Sequence, residues 1–183
     1  IHDIKFGGLQ NYVYRLTITD QTLIDHAFPL GGQAGTTIKP ELLGQNVPDD
    51  AISIKLPQHL HGDGSPHTSS GNYKHPFVFH DYHAGSLSFE ISHLREFIEN
   101  TEAAKGVLAT PAVFNGRILQ ADEVDKWWFS ASQGDNLLFD LRAARLGSRL
   151  DSIIAIYDKD GNLLKQHDDI TNGNTDSSLL MSF

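Results

Sequence analysis

Residues 127–141 read WWFSASQGDNLLFDL. Trp127, Phe129 and Ala131 alternate with Trp128 and Ser130, and Leu137, Phe139 and Leu141 alternate with Leu138 and Asp140. A spacing of two sends successive side chains to opposite faces, which is the period of a strand. Gln133-Gly134-Asp135 between the two runs has turn composition, so the stretch predicts a pair of strands joined by a turn. Downstream, Ile153 to Tyr157, the turn Asp158-Lys159-Asp160-Gly161 and Leu163-Leu164 predict another hairpin, and SLLMSF at 178–183 repeats the strand pattern. Upstream, Leu87, Phe89 and Ile91, then Ile52, Ile54 and Leu56, then the run from Ile38 to Leu43 carry the same texture. So do Tyr12, Tyr14, Leu16 and Ile18, introduced by Gly7-Gly8. Strands about every ten residues with Gly, Asn and Asp turns, and no sustained helical period, predict an all-β chain of antiparallel β-sandwiches.

The 183 residues and 20.2 kDa suffice for two small domains, each with its own core. Fourteen Lys and Arg against 23 Asp and Glu leave a net charge of −9, which opposes nucleic acid and anionic lipid as partners. With 39% apolar residues the chain is too apolar for disorder, and its longest apolar runs are strand-sized, so no membrane insertion is expected. The absence of cysteine excludes thiol chemistry, Cys-ligated zinc and disulfides. An opening without Met, leader or lipidation motif reads as an excerpt of a longer protein. EFIENTEAAKGVLATPAV at 96–113 offers at most a turn or two of helix and reads as a linker into a second domain. The expected organisation is a terminal strand of a preceding module at 1–20, an immunoglobulin-like sandwich at 21–95, and a sandwich lacking its last strands at 96–183. An opening strand with no nearby partner is expected to fill the vacant edge of the second sandwich in a neighbouring molecule.

Seven of the ten histidines lie between His59 and His93. His59, His61 and Asp63 match the front of a zinc-hydrolase motif, His-x-His-x-Asp-His, but Gly64 stands where the closing histidine belongs. A zinc-dependent hydrolase is therefore the alternative to a non-catalytic reading, against a polar loop with titrating histidines. Ser65, Ser69 and Ser70 lack the strand-turn-helix elbow of a catalytic serine. Asp158-Lys159-Asp160-Gly161-Asn162 fails as an EF-hand, since Gly161 is fourth rather than sixth, and reads as a β-turn. Asp168, Asp169 and Asp176 offer carboxylates to a second ion but read first as a solvated hairpin. Alternation turns Trp128 outward, where an indole could stack on a sugar or pack on a partner.

FNGRI at 114–118, the acidic run 122–125 before WWF, RLGSRLDS at 145–152 and YDKDGNLLKQHDD at 157–169, in this order and spacing, resemble the bacterial pre-peptidase C-terminal domain. FGGLQNYVYRLTI at 6–18 resembles the last strand of an earlier copy, and FPLGGQAGTTIKPELLGQN at 28–46 resembles the start of an immunoglobulin-like IPT/TIG domain. The resemblance implies a jelly-roll-like second sandwich within a multi-module protein of the planctomycete-type envelope kind. It also implies a secreted, periplasmic or cell-envelope location and no catalysis. Partners would be other modules of the same protein and an extracellular polymer, protein or glycan. It implies calcium held by linker and pre-strand acids, which here map onto Glu96, Glu99, Asn100, Asp122 and Asp125, although IENT at 98–101 replaces the family's Pro-containing run.

Overall fold

The computed structural model describes residues 1–16, 18–49, 52–58, 71–79, 82–171 and 173–183, and at 71–73, 76–79 and 82–83 the backbone alone. Seven strands precede the linker: β1 (Leu23–Phe28), β2 (Gly31–Gln33), β3 (Thr37–Ile38), β4 (Glu41–Gln45), β5 (Ile54–Lys55), β6 (Gly71–Phe79) and β7 (Tyr82–Ser92). Nine follow: β8 (Arg95–Ile98), β9 (Val107–Leu108), β10 (Ala112–Asn115), β11 (Trp128–Phe129), β12 (Asn136–Asp140), β13 (Ile154–Tyr157), β14 (Leu163–His167), β15 (Asp169–Thr171) and β16 (Asn174–Ser182). Helical geometry among the described residues is confined to two single 3-10 turns, Glu102–Ala104 and Ala144–Leu146, so the chain is all-β, in several antiparallel sheets.

The expected run from Ile38 to Leu43 is split because Pro40 has no N–H to give a ladder. β3 pairs with β5, and β4 pairs antiparallel with β1. The polar loop expected in the histidine-rich stretch contains β6, which runs antiparallel to β7 from Gly71↔Ile91 to Phe79↔Tyr82. The alternation in β7 buries Phe89 and Ile91 against Ile24, Ala27, Ile54, Leu56 and Ala84, the main hydrophobic core. β2 lies parallel to β7 so closely that a Cβ on Gly31 would collide with the Glu90 carbonyl oxygen, which is why glycine stands there.

Two pairings differ from the sequence reading. β11 and β12 do not form a hairpin: β11 lies parallel to β9, and β12 runs antiparallel to β16 from Asn136↔Ser182 to Asp140↔Ser178. The turn between them closes on itself, Ser132 N–H donating to Asp135 Oδ2 at 2.7 Å. Gly134 N–H donates to the Phe183 carbonyl at 2.7 Å, which aligns the turn with the end of β16. Residues 12–16, read as a strand, have no strand geometry and lie exposed, because no strand among the described residues offers a ladder to them. The β13–β14 hairpin is as expected, with Asp158 Oδ1 accepting from Asp160 N–H at 2.9 Å and Asn162 N–H at 2.8 Å, and Gly161 at φ +85°.

Candidate functional site

Parallel pairing of β8 with β10 sets Glu96 beside Val113 and Ile98 beside Asn115. Phe97 turns inward, 3% exposed, and the acids near it, Glu96 and Glu99, meet the end of β10 and the residues that follow it. Asn115 Nδ2 donates to Glu96 Oε2 at 2.8 Å, and the Arg117 backbone N–H donates to Glu99 Oε1 at 2.9 Å. Gly116 makes the remaining geometry possible. A Cβ there would lie 2.5 Å from Asp125 Oδ2 and 3.3 Å from Glu99 Oε2, so the missing side chain leaves room for two carboxylates to face each other.

Burial and mutual repulsion act on this pair. Burial raises the Glu99 pKa, and the Asp125 charge raises it further against the Arg117 N–H. Burial also raises Asp125, as does the Glu123 charge, while the hydrogen bond with Glu99 opposes them. The pair thus holds a proton more tightly than free carboxyls do. Glu96 is raised chiefly by burial, against its Asn115 bond. Glu123 is used structurally, its Oε2 accepting from Leu119 N–H at 2.6 Å and Gln120 N–H at 3.0 Å.

Arg117 carries this acidic cluster across to the earlier strands. Its Nη1 donates to Glu41 Oε2 on β4 at 2.7 Å, its guanidinium lies 4.3 Å above the Phe28 ring of β1, and its Nε is 4.0 Å from Glu99 Oε1. A second link joins Arg142 to Glu90 on β7, with Arg142 Nε also on Asp140 Oδ2 at 2.8 Å. A cleft of about 300 Å³ lies along the same seam, between Asp25 and His26 on one side and Arg145 and Gly147 on the other.

Of the expected calcium ligands, the structure brings Asp125 to Glu99 and commits Glu96 to Asn115. Asn100 and Asp122 are exposed turn residues in left-handed conformation, at φ +58° and +64°. Among the described residues, no three His, Cys, Asp or Glu side chains group so as to hold a metal ion. His59, His61 and Asp63 lie outside the described residues. Asp176, read as part of a solvated hairpin, is instead fully buried. Its carboxylate accepts from the N–H groups of Ala143 (2.8 Å), Ala144 (2.6 Å) and Arg145 (3.1 Å) and from Arg145 Nε (2.6 Å). Burial alone would raise its pKa, but these bonds outweigh it and hold the pKa below the usual carboxylate range. The roles of Gly116, Arg117 and Asp176 were not read from the sequence. The Asn-Gly-Arg triplet of FNGRI was the only available signal for the first two.

Trp128 stands where alternation placed it. Trp127 stacks on Phe114 at 5.0 Å and Phe129 packs on Phe139 at 5.4 Å, while the Trp128 indole is 61% exposed. Its partner across the parallel pair is Val107, also exposed, so the two form an apolar surface patch. Among the described residues, no helix is long and apolar enough to cross a membrane. No family model matches the chain, and no curated protein or solved structure matches it.

Proposed function

We propose that this chain is a non-catalytic spacer and adhesion segment of a larger exported protein, stiffened by calcium where its two groups of strands meet. The observation that carries this reading is the seam: Arg117 joins Glu41 and Phe28 to the linker acids, and Arg142 joins Glu90. Such cross-links suit a segment that must transmit position rather than move. The resemblance of 96–183 to pre-peptidase C-terminal domains, and of 28–46 to IPT/TIG domains, supports the exported, multi-module setting. Calcium would be held by Glu99 and Asp125, whose oxygens are hard donors of the right kind. When bound, the ion would supply positive charge that offsets the repulsion between the two carboxylates. Glu99 and Asp125 provide only part of a calcium shell, and the rest would fall to water. The seam is tested by calorimetry of the whole chain. One cooperative transition is expected, and two separate transitions would contradict a rigid segment.

A second reading concerns what the segment touches, and the exposure of Trp128 favours it. A flat indole beside Val107 offers a stacking face for a sugar ring of an extracellular glycan. Retention on immobilised glycans should be lost in Trp128→Ala with the circular dichroism spectrum unchanged. Equal retention would remove Trp128 from the adhesion surface. The zinc-hydrolase alternative at His59, His61 and Asp63 is tested by the metal content of protein purified without nickel.

A further inference from the structure

Residues 11–16, NYVYRL, place Tyr12, Tyr14 and Leu16 on one side at strand spacing, yet these side chains are 54%, 71% and 60% exposed. Beyond this point the chain is tethered to the body, where Asn46 Nδ2 donates to the Asp20 carbonyl at 2.9 Å. Elsewhere on the molecule a strand edge stands open. Leu141 N–H donates to the Ser177 carbonyl, so in the antiparallel register Leu137 and Phe139 also turn their backbone groups toward β16. The N–H and C=O groups of Asn136, Leu138 and Asp140 then face the other edge of β12, where no strand pairs among the described residues. The inner face beside that edge is aromatic and only half-buried: Phe129 lies 5.4 Å from Phe139 and 5.9 Å from Phe183.

We propose that residues 11–16 of one copy of the chain add as a strand to the free edge of β12 in a second copy, and that the exchange is reciprocal. Added there, Tyr12, Tyr14 and Leu16 extend the row formed by Phe129 and Phe139, and Asn11, Val13 and Arg15 face outward. Backbone pairing supplies affinity, and the alternating side chains supply register. Charge agrees with this. Lys5 and Arg15 against Asp3 give residues 1–16 a charge of +1, so the rest of the −9 chain carries −10 and attracts the segment. Burying three such side chains removes on the order of 450 Å² per strand. Two reciprocal strands with their acceptor surfaces bring the total to about 1,800 Å², the size of a stable interface.

Sedimentation equilibrium of the full chain, from low-micromolar to sub-millimolar concentration, tests the exchange. The mass is expected to rise with concentration toward twice 20.2 kDa. In antiparallel addition the outward-facing residues carry the N–H groups that meet β12, so Val13→Pro removes a ladder donor from a segment whose side chains lie exposed, and the variant should keep the circular dichroism of the parent and stay monomeric. Excess peptide NYVYRL should likewise dissolve the dimer. A parent chain monomeric at every concentration would overturn the proposal, as would a dimer that persists in Val13→Pro and resists the peptide.

Discussion

Asp176 and Asp125 show how the same functional group is put to opposite uses. Asp176 is surrounded by four donors, so Asp176→Ala would strand three backbone N–H groups and the Arg145 Nε, although the guanidinium keeps its bond to Asp140. Breaking such a buried charged network costs about 3–5 kcal/mol, or roughly 10 °C in the midpoint of a chain this size. A loss of only a degree or two in thermal unfolding would mean the carboxylate is not the anchor of this turn. Asp125 faces another acid, and its neutral analogue should help in chelator. Asp125→Asn is expected to raise the calcium-free midpoint at neutral pH, by relief of repulsion with Glu99 and Glu123. A lower midpoint in chelator would show that the charge is favourable as it stands. Neither role was legible from residue type: Asp176 lies in a polar run, NTDSS, whose burial is decided by Ala143 to Arg145, more than thirty residues away.

At the scale of elements, the period of two found β7, β12 and the β13–β14 hairpin, and it set Trp127 and Phe129 against Trp128 correctly. It did not find their partners. β12 and β11 are adjacent in sequence yet belong to different pairings, because the Asp135 turn is closed locally and the end of β16 competes for Gly134. Short parallel pairs such as β8–β10 and β9–β11 are also invisible to alternation, which carries no directional information. The residues at 12–16 had the pattern of a strand without a neighbour to complete it, and a pattern alone does not hydrogen-bond the backbone. Gly116 and Arg117 matter through contacts across this long-range pairing, and so the candidate site was legible only as a set of acids. Arg117→Ala should lower the midpoint by about 2–4 °C, as one partly exposed ion pair and one cation–π contact sum to about 1 kcal/mol. A midpoint within error of the parent would mean the seam draws its strength from elsewhere.

At the scale of the whole molecule, the described carboxyl groups whose pKa the fold shifts form two sets with opposite pH signatures. For Asp140, burial pushes the pKa up but the Arg145 and Arg142 bonds outweigh it, and Asp176 behaves likewise. Groups depressed in the fold contribute stability above the ordinary carboxylate range, and this is lost as pH falls through their folded pKa values. Glu96, Glu99 and Asp125 are raised, so they destabilise the fold above their folded pKa values and are relieved as pH falls into the ordinary range. In chelator the midpoint should therefore climb as neutral solution is acidified, then collapse below about pH 4. A midpoint falling steadily from neutrality would contradict the division. The measurement that tests the central claim most directly is thermal unfolding of the tag-free chain in chelator and again in excess calcium. An ion bound only to the native state, at 100-fold above its dissociation constant, adds roughly 2.7 kcal/mol. The account expects a rise of about 5–10 °C that disappears in Asp125→Asn. An unchanged midpoint, or a rise that survives the substitution, would contradict a calcium-stiffened seam.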